Sequence, residues 1–375
     1  MSFKKVAFPL VVGAITAIIY SEIKKESATD ATLDSLPTSV TESVIQTTHV
    51  EHTASSVSKK EVPAATIKPT ITVCEATVEG AILNNEQMSE LDANDIKMRQ
   101  VIADTLTLES EFTALITNQN DAETRIERTS QLSEKYPDNP LVSYELLSLC
   151  SNSEYTCSPE LVTSTVQKDP NNGAAWLLSA IYHASNNDTK SAEAAIIEAS
   201  KAPNFNDHWS DYSSTFSTAY KQAGAVEGVE LDVLVMGYVA ALSSPSYGAL
   251  FKLCKQAPVD NTALLEACLT SGQLFADESS AQISRLIGSN IQKNVLTKLG
   301  HTDELARIVQ ARNEMFAINE QQSKALDLIW RNQALRGEWQ AELIRNGEVK
   351  AAQFAIDEAI RMSNDPTIDE CLTVN

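Results

Sequence analysis

The stretch Asn172–Pro203, NGAAWLLSAIYHASNNDTKSAEAAIIEASKAP, holds two apolar helical patterns with a polar turn between them. Trp176, Ala180, Ala192, Ile196 and Ala199 stand at 0, 4, 16, 20 and 23 residues from the tryptophan. Steps of three and four residues place side chains on one face of a helix. Ala180 and Ala192 carry no bulk, so two antiparallel helices can approach closely there, while Trp176 and Ile196 fill the space beside the contact. Asn186, Asn187 and Asp188 form the turn, and Thr189 is the expected N-cap of the second helix. Pro203 cannot continue a helix and marks the end of the unit.

The unit does not stand alone. Lys135-Tyr136-Pro137, Lys168-Asp169-Pro170 and Lys201-Ala202-Pro203 recur every 33 residues, and Trp176 and Trp209 keep the same step. A fixed period of this size marks an array of helical hairpins. The preceding unit has Leu146 where a small residue is expected, with Ser158 and Val162 on its second helix. The unit after Asn206 has Trp209 and then a Ser/Thr/Tyr-rich helix. Asn346-Gly347 followed by Ala352, Ile356, Ala359 and Pro366 reads as one more second-helix half.

This spacing resembles the tetratricopeptide repeat, closely over Asn172–Pro203 and more loosely in the neighbours, about a third of the chain together. The resemblance implies an all-α fold, with antiparallel helical hairpins stacked as a tetratricopeptide-like α-solenoid. It also implies a concave surface for a protein or peptide partner. Trp176 and Trp209 are expected in the hairpin core, as bulky residues at helical spacing usually are.

Composition agrees with an all-α chain. Hydrophobic residues make up 43% and aromatics 6%, with 12 Gly and 12 Pro in 375 residues. Hairpin signals between alternating apolar runs are nearly absent. The net charge is −21, from 29 Lys and Arg against 50 Asp and Glu. Nucleic acid is bound through Lys and Arg contacts to phosphate, so this balance argues against such a partner. The acidity serves solubility, or offers an acidic groove to a basic partner.

Lys4 and Lys5 precede an uncharged apolar run from Val6 to Tyr20. Fifteen helical residues reach about 22 Å, short of a hydrocarbon core of roughly 30 Å. Phe3 and Ile23, with snorkelling lysines, extend the run to a workable span. A cleaved signal peptide is the competing reading. Against it, no small-x-small site follows the run, which ends Ile18-Ile19-Tyr20. An uncleaved signal anchor over residues 1–25 is therefore expected. Residues 26–75, rich in Ser, Thr, Val and Ala without apolar periodicity, read as a flexible linker. Residues 76–375 are the expected helical repeat domain.

Six cysteines lie beyond the anchor: Cys74, Cys150, Cys157, Cys254, Cys268 and Cys371. Cys150 and Cys157 flank one expected hairpin turn, and Cys254 and Cys268 flank another near Pro258. Paired positions beside a turn meet the short Cα separation of a disulfide. Cys74 and Cys371 remain by elimination, although six cysteines allow fifteen connectivities. An even count in an exported domain points to an oxidising compartment. The anchor and the cysteines together place the chain in an inner membrane as a single-pass protein, its C-terminal domain in the periplasm.

Further helical patterns begin near Asn94, with Ile96, Val101, Ile102 and Leu106 as the apolar side, and cover 121–135, 140–149, 159–167 and 207–222. Later ones cover 231–242, 247–255, 262–275, 279–299, 302–335 and 338–362. Motifs for nucleophilic, phosphate, dinucleotide or zinc chemistry are missing. No catalytic residue, cofactor or metal is expected. His49 and His52 lie in the linker. His183 and His208 lie near turns, and Asp207, Asp211 and Glu227 read as cap or surface carboxylates. The expected function is a protein-binding adaptor or scaffold touching the membrane through its N-terminal segment only. The alternative is a fixed structural component of a cell-envelope assembly, such as secretion, pilus or division machinery. An enzyme whose site assembles from distant residues is a third possibility.

Overall fold

The computed structural model describes residues 71–74, 85–118, 122–225, 228–242, 245–365, 367–368 and 371. The expected anchor, most of the linker, Glu227, Pro366 and the His49/His52 pair lie outside the described residues. Among the described residues, no helix is long and apolar enough to cross a membrane. The described residues form one compact unit.

That unit is all-α, with fourteen helices among the described residues. In chain order they are α1 (Asn85–Asp104), α2 (Leu108–Thr117), α3 (Ala122–Lys135), α4 (Pro140–Ser151), α5 (Pro159–Val166), α6 (Gly173–Ser185) and α7 (Thr189–Lys201). The series continues with α8 (Trp209–Gln222), α9 (Val229–Ala240), α10 (Tyr247–Gln256), α11 (Thr262–Glu278), α12 (Gln282–Leu299), α13 (Thr302–Arg331) and α14 (Gln333–Asn364). Adjacent helices pack as hairpins, most extensively α6 with α7, α11 with α12 and α13 with α14.

In the α6–α7 hairpin, Ala180, Ala192, Ile196 and Ala199 are all buried. Removing an isoleucine side chain from water stabilises a fold by about 1.5–3 kcal/mol. The helices approach so closely that a Cβ on Gly173 would lie 3.0 Å from the Ala199 carbonyl oxygen. Two details differ from expectation. The N-cap of α7 is Asp188, whose Oδ1 accepts from Ser191 N at 3.1 Å, and Thr189 is the first helical residue. Asn187, at φ 59°, turns the chain in the left-handed region that asparagine tolerates, which brings the carboxylate into the cap position. Trp176 packs against the hairpin core as expected but is only half-buried, because its indole N–H reaches out to the Pro170 carbonyl at 2.8 Å and fastens the preceding loop. Trp209 is also half-buried, against a second core.

The first core runs through α4–α7 and α10–α12, and includes Leu146, Val162, Ile181, Leu264 and Ile291. The second joins α1–α4 to α8 and α9 through Ile102, Phe112, Val142, Phe216, Tyr220 and Val235. Here the expected face of α1 is corrected. Ile96 and Val101 are exposed, and Leu106 lies beyond the helix end with 81% of its surface open. The inward face is Leu91, Asp95 and Ile102. The aspartate replaces an apolar residue there because it has partners. It accepts hydroxyls from Tyr220 at 2.6 Å and Tyr238 at 2.8 Å, and Arg99 Nε lies 3.0 Å away.

The C-terminal helices are fitted by glycines. α11 and α12 cross at Gly272 and Gly288, where a Cβ on Gly288 would lie 2.5 Å from the Gly272 carbonyl oxygen. Gly347, at φ 81°, breaks α14, and a Cβ there would meet Ser280 at 2.5 Å. Beyond the break Ala352, Ile356 and Ala359 are buried, repeating the spacing of Ala192, Ile196 and Ala199. α13 stops at Arg331, short of the expected 335, because Asn332 Oδ1 accepts from Leu335 N at 3.2 Å and starts α14.

In a linear array each unit contacts only its neighbours. Here α8 packs on α1, α2 and α9, and α14 returns to pack on α8. Disulfides join Cys150 to Cys157, Cys254 to Cys268 and Cys74 to Cys371, with Cα separations of 5.5, 5.8 and 5.7 Å. No cysteine is left free. Three disulfides point to an oxidising, extracytoplasmic compartment.

Candidate functional site

The hairpin turns of α6–α7 and α10–α11 lie side by side, since α6 packs on α10 and α7 on α11. Between them runs a groove of about 150 Å³. Its walls carry Asn187 and Glu193 from the first hairpin, and Lys252, Leu253, Gln256 and Pro258 from the second. The buried Cys254–Cys268 bond joins α10 to α11, the helices of the second hairpin. Asn261, the N-cap of α11, reaches back to Glu193 Oε2 at 3.5 Å. The lining is mixed: one acid, one base, two amides and Thr189 beside Leu253, Ala257 and Leu264.

A second polar centre joins the loop before α6 to the loop before α8. Asn172 Oδ1 accepts from Ala174 N at 3.0 Å and from Asn206 N at 3.0 Å, while its Nδ2 donates to Asp169 Oδ2 at 2.8 Å and Asn206 O at 2.9 Å. Gly173 N donates to Asn204 O at 2.8 Å beside it. His208 completes the group. It is buried, packs tilted against Tyr144 with ring centroids 5.0 Å apart, and sits in the left-handed region at φ 54°. That φ explains why α8 begins at Trp209 and not at the expected 207. The imidazole lies between two acids, with Nδ1 2.6 Å from Asp211 Oδ2 and Nε2 3.9 Å from Asp169 Oδ2. Burial opposes its charge, but the neighbouring Asp169 and Asp211 carboxylates outweigh burial and raise its pKa above the ordinary 6.5. His208 also holds the Asp169 and Asp211 carboxyls below their ordinary range.

A third centre gathers three loops. Asp207 Oδ2 accepts from Ser279 Oγ and, at 2.9 Å, from Ser280 N. Glu348, one residue past the break in α14, accepts from Gln282 N at 2.8 Å through Oε2, and Val349 N donates to Ser280 O at 3.3 Å. Burial and the nearby Asp207 charge raise the Glu348 pKa, against the lowering effect of the Gln282 N–H. These two carboxylates hold the joint between α11 and α12. Asp207 is thus a tertiary clamp and not a surface carboxylate.

Ala180, Ala192, Ile196 and Ala199 come together as packing inside the α6–α7 hairpin, with Pro203 exposed at its end. His183 is buried, with Nδ1 3.3 Å from Asp188 Oδ2 at the turn. Glu145 is buried between Arg125 Nη2 at 3.0 Å and the Tyr212 hydroxyl at 2.7 Å. Burial raises its carboxyl pKa, and these two partners pull it back down. Each of these groups is satisfied by a structural partner. Among the described residues, no group of three or more His, Cys, Asp or Glu is placed to hold a metal ion. Sequence reading missed Lys252, Gln256 and Glu193 as groove residues, because solvated helix charges look alike until two hairpins are set side by side. No family model, no curated protein and no solved structure matches the chain.

Proposed function

We propose that the chain is a non-catalytic adaptor, built as a tetratricopeptide-like stack, that binds a protein or peptide partner in the periplasm. Residues 1–25 anchor it in the inner membrane. Residues 26–75 carry the domain on a tether, whose first 45 residues span roughly 35–40 Å root-mean-square. The observation that supports this reading best is the groove between the α6–α7 and α10–α11 turns, with its mixed lining and the disulfide that joins the helices of its second hairpin. The three disulfides support the compartment.

A photo-crosslinking side chain at Lys252 or Gln256 in living cells tests the groove. The expected result is one discrete adduct that the same group at Lys350, exposed on α14, does not give. Equal adducts from all three positions defeat the assignment. A periplasm-active reporter fused after Lys60 tests the topology, and a mature form starting after Tyr20 would replace the anchor by a cleaved signal.

The alternative reading is a fixed component of an envelope assembly. The return of α14 onto α8 and the Cys74–Cys371 bond favour it, since they brace the domain as a block. Stable stoichiometric co-purification, against weak transient capture, distinguishes the two.

A further inference from the structure

α13 has 30 residues, and its two ends are packed differently. Its buried residues all lie from Ala325 to Arg331, beside the turn into α14. From Thr302 to Lys324 no side chain is buried. That stretch runs beside α12, and Gln282 Nε2 donates to Gln322 Oε1 at 2.7 Å near its far end.

This open stretch is nevertheless patterned as a packing helix. Leu305, Ile308, Val309, Arg312, Met315 and Phe316 stand at steps of three and four residues. Such steps align side chains in one stripe. In a stripe that faces a core the apolar members are buried. Here each keeps part of its surface open, Val309 as much as 39%.

Arg312 stands in the middle of the stripe. Its Nε is enclosed without a hydrogen-bond partner among the described residues. Burial lowers its pKa, and no carboxylate lies near enough to raise it. Three acids of α13 are engaged elsewhere: Glu304 with His301 and Arg307, Glu314 with Gln310, and Glu320 with Lys324. A cation held among apolar groups is ordinarily paired. In a chain with 50 acidic and 29 basic residues, this one lacks its counter-charge.

These facts choose among occupants. A second copy would apply the stripe to itself, arginine near arginine, between two chains of net charge −21. A carboxylate set among apolar residues supplies what Arg312 lacks. Alternating steps of three and four take a helix as neighbour, crossing at about 20°.

We propose that the Leu305–Phe316 stripe of α13 docks an amphipathic helix of another protein, whose apolar face carries one Asp or Glu that pairs with Arg312. This surface shares no residue with the groove between the α6–α7 and α10–α11 turns, and the proposal does not depend on that groove.

The probe is a labelled synthetic helix of about three heptads, with Leu and Ile on its apolar face and a central Glu among them. A second peptide carries Gln at that position. Fluorescence anisotropy with the full chain measures both. We expect the Glu peptide to bind about tenfold more tightly. Arg312→Gln should remove the preference, and Arg312→Glu should transfer it to a peptide carrying Lys. Val309→Asp should weaken both peptides, with circular dichroism checking that each variant keeps its helices. The comparison of the two peptides on the unaltered chain needs no variant, so it decides the matter if a variant fails to fold. A photo-reactive group on the Glu peptide should label α12 and α13. Labelling of α10 and α11 would move the peptide to the groove and overturn the proposal. No binding of either peptide, or equal binding of both, overturns it too. So does dimerisation in light scattering that Val309→Asp abolishes, which would assign the stripe to a second copy.

Discussion

Gly288 faces the carbonyl oxygen of Gly272 so closely that a Cβ on it would lie 2.5 Å from that atom, with the Ala276 amide nitrogen equally near. Both obstacles are backbone and cannot rotate away. Gly288→Ala must therefore push α11 and α12 apart, and we expect a loss of about 2–3 kcal/mol, at the upper end of overpacking effects. Gly272→Ala meets nothing closer than 3.1 Å and should cost less. Thermal unfolding of both variants checks the order, and a reversed order would place the close crossing elsewhere.

The α6–α7 hairpin gives a second measurement. Ala180 and Ala192 are fully buried at its centre. Replacing either with Leu should cost about 1–3 kcal/mol. Ala194, exposed on the outer face of α7, should accept Leu with little change, and serves as the control. Equal melting temperatures for all three variants would show that the hairpin contact is not where the small residues lie.

His208 gives stability a pH dependence of known sign. Its folded pKa lies above the ordinary 6.5, so the folded state holds the proton more tightly than the unfolded chain. The stabilisation is fully present below 6.5 and is lost as pH rises through the folded value. His208→Gln should flatten this slope, and should also shift the Asp169 and Asp211 titrations upward toward their ordinary range in carbon-detected NMR. A slope that survives the substitution would assign it to another group.

The two hairpin staples close loops of 7 and 14 residues. Loop entropy predicts that removing each with paired Ser substitutions costs about 2–3 kcal/mol, slightly more for Cys254–Cys268. Chemical denaturation of the two double variants checks the ranking.

What was legible in the sequence was local. The α6–α7 pattern could be read because Trp, Ala and Ile at helical steps carry their meaning without distant partners. The hairpin staples were readable because their partners lie within one turn. The face of α1 was not, since Asp95 interrupts the apolar stripe, and only Tyr220 and Tyr238, far along the chain, make its burial affordable. The same holds for Asp207 and Glu348, whose hydrogen-bond donors sit in the α11–α12 joint. Gly347 could be seen as a turn signal, but not that the turn exists to admit Ser280. The groove was hidden for a related reason: it is a property of two hairpins, and neither contains it.

The bond between Cys74 and Cys371 also changes what a cut in the backbone means. Nearly the whole helical domain lies inside one covalent loop of 297 residues. A protease that nicks a surface turn such as Asn187–Asp188 therefore produces two pieces that cannot drift apart. In an oxidising compartment the nicked molecule would keep its mass and its helices, and would run as a single species until a reductant is added.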